Sequence, residues 1–373
     1  MDLSSQRPGS VPGDSHHQAL SWWLHPGSLR KEIESSSGRG SIERCYRFGS
    51  GFLRLTAHDP LLDERFADLY GECAVEAAEA DPASTVGCVV RLHDERPLAM
   101  VSFEDPEPLN ATGLYQLLFE EWGFRMHGAE QAGWWTLAFN LEPDLPLAAG
   151  SSQHFLFDSN QIWQPLAGQL ALNRVLMLQR RSLFFHAAAL SIGGAGVILA
   201  GGKGQGKTTL SLALAARGHG WLGDEVAAVS TGSWSLLPFR RSASIRRGPA
   251  SAAVADRLAA GKYPEEKHPD GSLRTRVRIG ELFPDAAAGE VPLKALFVLL
   301  GRETPARVER IAPRREHLVR LPILRCTMWE MPVARRFLAL TRTLASVALF
   351  HLHPGDPDES ADLIERTMEE LGR

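Results

Sequence analysis

Apolar positions along this chain fall into three kinds of pattern. Between about residues 42 and 175 they come in short alternating runs. "GFLRLTAH" predicts a strand, and "GCVVRLHDERPLAMVSFE" predicts a hairpin with "HDERP" as its turn. In "GLYQLLFEEWGFRMHG", Leu114, Leu117, Leu118 and Trp122 recur at helical spacing and predict an amphipathic helix, and "WWTLAFNLEP" predicts another strand. Helical periodicity is strongest in "QPLAGQLALNRVLMLQRR", residues 164–181. Beyond it, "SLFFHAAALSIGGAGVILAGGKGQGK" reads as strand, Gly-Gly turn, strand and loop, and "KTTLSLALAARG" as a helix closed by Gly218 in a left-handed position, with Arg217 in its last turn.

"GWLGDEVAAVS" is a short strand or hairpin. The continuous apolar run "LKALFVLLGR" at 293–302, bounded by polar residues, predicts a buried strand. "SVALFHLHPGDPDESADLIERTMEELGR" predicts a last strand and a helix capped by Asp358 or Ser360. These elements predict an α/β protein in three parts: a flexible Ser-, Pro-, Gly- and His-rich tail over 1–40, an N-terminal mixed α/β region over 41–165, and a second α/β domain over 166–373.

Composition narrows the classes. A chain of 373 residues with 44% hydrophobic content builds substantial cores, which excludes global disorder. The formal net charge is -4, and no long basic stripe occurs, so nucleic acid is not an expected partner. No apolar run reaches the roughly 18 residues of a membrane span, and the first residues do not read as a secretory signal. Cys45, Cys73, Cys88 and Cys326 are too scattered for a zinc cluster or a disulfide framework. Reduced thiols and a cytoplasmic location are the expectation; a homo-oligomer is left open.

The chemistry concentrates in "GGKGQGKTTLSLALAARGHGWLGDE", residues 201–225. Gly201, Gly206, Lys207 and Thr208 satisfy G-x-x-x-x-G-K-[ST], between an apolar strand at 196–200 and a helix at 208–217. Glycines let backbone N–H groups turn inward around phosphate oxygens, and the helix adds its positive N-terminal end. Gly201, Gly202, Lys203, Gly204, Gln205, Gly206, Lys207, Thr208 and Thr209 are therefore the candidate nucleotide-binding residues, with Lys207 as the charge on the phosphates and Thr208 as a Mg²⁺ ligand. Seventeen residues after Lys207 comes Asp224, followed by Glu225. A carboxylate near the transferred phosphate serves as general base or metal holder. On a strand the two point to opposite faces, so one of them reaches an acceptor.

Across "FFHAAAL…GVILAGGKGQGKTTLSLALAARGHGWLGDEVAAV" the chain resembles the HPr kinase/phosphorylase group, and more closely the HPr-kinase-related kinases of peptide-modification clusters, lasso-peptide clusters among them. The shared pattern is a His on a strand, a hairpin, the phosphate loop, a helix and an acidic pair. The resemblance implies a C-terminal P-loop kinase domain of the HPr kinase/phosphoenolpyruvate carboxykinase-like type, using ATP and Mg²⁺. Asp224 would be the general base towards a Ser or Thr hydroxyl of a peptide or protein. His186 would orient the acidic pair, and Glu225 would support Mg²⁺. The second acid is Glu here, where the HPr kinases have Asp, and no HPr-binding signature is recognisable. A small-molecule hydroxyl kinase on the same fold and a catalytically weak regulatory protein are the alternatives.

The acceptor pocket is expected in 238–285 or in the N-terminal region. Arg240, Arg241, Arg246 and Arg247 offer guanidinium forks there, with no choice among them from sequence. "GKYPEEKHPDGSLRTRVRIGELFPD" reads first as a surface hairpin, and "HLH" at 351–353 as strand rather than metal pair. The Trp pairs at 22–23 and 134–135 read as core or interface aromatics.

Overall fold

In the computed structural model, Gly49 takes a left-handed φ of 64° in a two-residue turn. That turn joins strands β1 (Ile42–Phe48) and β2 (Gly51–Ala57) into an antiparallel pair. The structure describes residues 41–93, 98–105, 126–131, 134–140, 163–246, 248–261, 263, 265–267, 272–313 and 333–373. The tail expected over 1–40, Cys326, Arg247 and the first Trp pair lie outside them.

Five more strands complete the first sheet: β3 (Ala74–Val75), β4 (Thr85–His93), β5 (Leu98–Glu104), β6 (Met126–Gln131) and β7 (Trp134–Asn140). Their order is β3-β1-β2-β4-β5-β7-β6, antiparallel except for β2–β4. The hairpin read from "GCVVRLHDERPLAMVSFE" is β4–β5, closing at His93–Leu98. The helix expected over 113–128 is corrected at its end. Met126–Gly128 belong to β6, paired with Phe139–Leu137 of β7, while 113–125 lie outside the described residues.

Two helices cover this sheet. In α1 (Pro60–Tyr70), Asp59 accepts from Leu61 N at the N-cap, and Leu62, Phe66 and Tyr70, four apart, are buried. The α2 helix (Trp163–Leu178) buries Ala167, Leu170, Leu172, Val175 and Met177 on several sides, together with the polar Asn173. Its one buried cation, Arg174, donates to Asp105 at 3.0 Å.

The second sheet contains β8 (Ser182–Phe185), β9 (Ala187–Ile192), β10 (Ala195–Ala200), β11 (Gly220–Gly223), β12 (Ala227–Ser230), β13 (Ser235–Leu237), β17 (Val291–Leu299), β18 (Arg307–Ile311) and β19 (Ala348–His353). Strands β10, β17 and β19 run parallel at its centre. On β10, Val197 and Leu199 enter one core with α3 (Lys207–Ala216) and α7 (Pro357–Gly372). Ile198 and Ala200 enter another with α6 (Val333–Ser346). The period-2 alternation of a strand thus loads both faces of the sheet, which is why these strands read as unbroken apolar runs. The α7 cap is Asp356, whose carboxylate accepts from Asp358 N at 2.9 Å, and neither Asp358 nor Ser360 fills that role. Pro357 at the first helical position fixes this register.

A third sheet, β14-β16-β15, joins β14 (Ala243–Arg246), β15 (Glu265–Lys267) and β16 (Leu273–Val277), beside the short helices α4 (Ala255–Ala260) and α5 (Ile279–Leu282). The hairpin reading of 261–285 is realised as β15–β16. Glu72 closes α5 from outside, its carboxylate accepting from Ile279 N at 3.1 Å and Gly280 N at 2.8 Å.

One core crosses between the N-terminal sheet and the second sheet. Phe184, Val226, Ala228, Leu237 and Phe239 pack with Phe48, Phe66 and Tyr70, and the Phe48 and Phe239 rings lie 5.3 Å apart. Cys45, Cys73 and Cys88 are buried free thiols, and burial pushes Cys73 up to about 12. Among the described residues, no helix is long and apolar enough to cross a membrane.

The shared core predicts joint unfolding. Phe239→Ala, at a fully buried ring, is expected to cost about 3–5 kcal/mol. Urea unfolding of parent and variant should each show one transition, coincident by near- and far-ultraviolet circular dichroism. Two separated transitions in the parent would sink the idea of a shared core.

Candidate functional site

The loop between β10 and α3 is shaped by glycine where nothing else fits well. Gly204 and Gly206 sit at φ of 81° and 95°, in the left-handed region. A Cβ at Gly201 would come within 2.7 Å of Gln205 Oε1 and 3.0 Å of Leu299 Cβ. Lys207 Nζ donates to the carbonyls of Gly201 and Gly202 at 2.8 and 3.1 Å. Gln205 Oε1 accepts from Gly202 N–H. The loop therefore satisfies with its own oxygens the donors that anion oxygens would otherwise take. Lys203 is exposed, and Thr208 and Thr209 are half-buried at the start of α3.

The acidic pair is set by a bend shared between two strands. β8 pairs with β12, whereas β9 pairs with β10 and β11. The chain changes ladder at His186 on one side and at Asp224–Val226 on the other. The last pair of one ladder is Phe185–Ala227, and the end of the other is Ala189–Gly223. His186 is thus a bend between strands, and the acids are not strand residues as expected. They still point apart: Asp224 is 3% exposed and Glu225 is exposed. The cause is Glu225's left-handed φ of 70°, a costly conformation for a residue with a Cβ. His186 Nδ1 lies 3.1 Å from Glu225 O, which can only accept, so the ring donates there and pins the turn. Gly223 completes the corner, because a Cβ would stand 2.7 Å from both Phe239 O and Val226 O.

The bend brings the candidates together. Thr208 Oγ1 donates to Asp224 Oδ2 at 2.7 Å, joining the first turn of α3 to the acidic pair. Burial raises the Asp224 carboxyl to about 6, and the Glu225 charge adds to the rise, against the Thr208 hydrogen bond and the Lys207 ammonium. Partial desolvation by neighbouring groups pushes Glu225 the same way, although its side chain reaches solvent, but Arg241, His186, Lys207 and Arg274 overcome it and hold that carboxyl below its ordinary value. Burial lowers Lys207, opposed by both carboxylates.

Of the expected arginines, Arg240 turns away and donates to Ala288 O. Arg241 stands beside the acidic pair, its guanidinium 5.9 Å from the Tyr70 ring centre. Sequence reasoning missed Gly223 and Arg274; the only signal for Gly223 was a glycine directly before two acids. His353 pairs with Glu303 at 2.8 Å, in strand β19 as read. Among the described residues, no cluster of three or more His, Cys, Asp or Glu forms a metal cage. Mg²⁺ suits the donors present, because it takes one or two carboxylates and completes its shell with waters and substrate phosphates. Thr208, Asp224 and Glu225 fit that requirement, and the glycine loop with Lys207 fits a nucleotide phosphate tail.

No protein-family model matches the chain, and no curated protein does. A solved structure, the Hpr(Ser) kinase/phosphatase from Coxiella burnetii, is similar at 18% identity and a TM-score of 0.25, over 50% of this chain and 94% of its own. At that TM-score the likeness carries no argument, so function must be read from the site's geometry.

The buried acid has a stability cost with a defined pH window. Asp224 titrates near 4 in an unfolded chain and at about 6 when folded, so the folded state holds the proton more tightly. The cost is absent below about pH 4, grows through about pH 6 and is complete above it. Asp224→Asn should therefore stabilise the protein at pH 8 by on the order of 1–3 kcal/mol and give no gain at pH 4. Urea titrations at both values check this; a variant no more stable than the parent at pH 8 would refute the assigned burial cost.

Proposed function

We propose that this chain is an ATP-dependent phosphotransferase, using Mg²⁺, that phosphorylates a Ser or Thr hydroxyl of a peptide or protein. The observation that carries the reading is the 2.7 Å bond from Thr208 to the buried Asp224. Burial raises that carboxyl to about 6, and this suits a general base, because proton transfer is most efficient when the base titrates near the working pH. The resemblance of residues 184–229 to the HPr-kinase-related kinases supports the same reading. The missing HPr-binding signature leaves HPr itself out of it.

In this reading the N–H groups of the Gly201–Gly206 loop and the N-terminal end of α3 bind the phosphate tail, and Lys207 adds its charge. Thr208 and Glu225 would hold Mg²⁺. Bound Mg·ATP supplies the phosphoryl group and neutralises the charge that develops on it. Asp224 takes the proton of the acceptor hydroxyl, and its low exposure keeps bulk water from competing for that position. His186 holds the Glu225 turn through Nδ1, which keeps the two carboxylates on separate tasks.

Two variants separate the roles. Asp224→Asn should leave ATP affinity within about threefold and lower transfer from labelled ATP to a serine peptide library by about 10²–10⁴-fold. Transfer at the parent's rate would remove Asp224 as the base. Lys207→Ala should weaken ATP binding itself by tenfold or more, about the value of one charge-assisted hydrogen bond. Calorimetry showing parental affinity would contradict the phosphate loop.

A further inference from the structure

The loop between β10 and α3 is closed by one of its own side chains. Gln205 Oε1 accepts from Gly202 N–H, and Gln205 N donates to Gly202 O at 3.4 Å, so the two residues form a ring across the loop. Lys207 Nζ donates to the same Gly202 carbonyl at 3.1 Å and to that of Gly201 at 2.8 Å. The Gln205 carboxamide lies along the Gly201–Gly202 backbone. A Cβ on Gly201 would come within 2.7 Å of its Oε1, and a Cβ on Gly202 within 3.4 Å of its Oε1 and Cδ. Every acceptor in this ring is a neutral oxygen.

The ring is built to open. Gln205 stands between Gly204 and Gly206, both left-handed at φ of 81° and 95°. No atom lies within 4 Å of the position a Cβ would take at either glycine. The peptides on both sides of Gln205 therefore turn at little steric cost. Gly202, Lys203 and Gly204 are exposed and Gln205 is half-buried, so the carboxamide swings into solvent without opening a core. A neutral amide oxygen is also the weaker partner for an N–H, since hydrogen bonds to an anion oxygen are roughly twice as strong.

We propose that Gln205 is a displaceable plug: in the free chain its carboxamide oxygen occupies, at Gly202 N–H, the position of a phosphate oxygen, and a phosphate tail binds by pushing it out. The proposal rests on the reading of this loop as a phosphate site; the Gln205–Gly202 contact does not. Binding then exchanges one hydrogen bond at Gly202 for another, and the affinity of the loop is lower by the worth of the bond given up. Lys207 leaves its loop carbonyls for the phosphates in the same step. The plug thus sets the nucleotide concentration at which the loop fills, through a residue separate from Lys207, Thr208 and Asp224. A brace that shaped the loop for phosphate would act with the opposite sign, because its removal would weaken binding. The plug is favoured because the carboxamide takes an N–H, the group that a phosphate needs.

The test titrates the full chain with inorganic triphosphate and with ATP by calorimetry, Mg²⁺ being present throughout. Gln205→Ala, and Gln205→Met, which keeps the side-chain length without the amide oxygen, should each bind triphosphate about three- to tenfold more tightly than the parent. The gain should be equal for ATP, because Gly202 meets the phosphate tail and not the nucleoside. Gln205→Glu puts a carboxylate beside Gly202 N–H and Lys207 and should weaken triphosphate binding by about tenfold or more. A loop merely damaged by substitution would lose affinity in all three variants. Amide exchange followed by NMR needs no ligand: Gly202 N–H should exchange more slowly in the free parent than in the Ala and Met variants. Weaker binding in both of those variants, a gain confined to ATP, or equal Gly202 exchange in all three proteins would overturn the plug. Triphosphate binding at one affinity in parent, Ala and Met proteins would sink the plug alone and leave the phosphate loop standing. No binding of triphosphate or ATP by parent or variants would sink the phosphate-loop reading and the plug with it.

Discussion

The corner at Gly223 is the constraint on which the rest depends. Only a residue without a Cβ lets the backbone of 239–241 close to within contact of the end of β11, and that approach has three consequences at once. It seats the Phe239 ring against Phe48 and Phe184, tying the N-terminal sheet to the second one. It lets β11 break off, so that the next residue, Asp224, turns inward to Thr208 instead of continuing a ladder. It also sets Arg241 and the start of β14 beside the acids. Fold and candidate site therefore share one origin: a van der Waals limit at a single backbone position.

The corner concentrates unfavourable terms in a few residues. Asp224 is desolvated next to another carboxylate, and Glu225 carries a left-handed backbone, a cost of about 1–3 kcal/mol. Such terms persist only where surrounding structure over-determines them. Here the hydrogen bonds of Thr208 and His186 act locally, and the buried Trp221, Leu222, Phe184 and Phe185 brace both strands of the bend. Adjacent acids, one buried and the other held in a strained backbone, are more usefully explained by chemistry than by stability.

What the sequence showed and what it hid follow from the range of the interactions. The glycine loop between β10 and α3 was legible because its geometry is local: glycines, a lysine and a helix start within eight residues. The apolar runs of β10 and β17 were legible because both faces of a central strand are buried. The bend at His186 was not, since "SLFFHAAALSI" is a continuous apolar run and its division between two ladders is decided by β10, β11 and β12, far along the chain. Pairing with β7 likewise outweighed helical spacing at Met126–Gly128. The cap at Asp356 was visible in principle through Pro357, and the α6 stretch "VARRFLALTRTLAS" carried a helical period that drew no reading. Arg240 and Arg246 were noticed in one cluster, but only the fold turns Arg240 to Ala288 O and sets Arg246 across from Arg274.

The cations around the acidic pair come from separate elements. Lys207, half-buried at the start of α3, donates to the carbonyls of Gly201 and Gly202. Arg241 and, from β16, Arg274 act on the Glu225 carboxyl. Between them lie one buried acid with a raised pKa and one exposed acid with a lowered one. Two adjacent carboxylates in sequence have become chemically distinct because one faces the protein interior and the other faces a field of positive charge. Such a difference between neighbours is what a proton acceptor and a metal holder working side by side require.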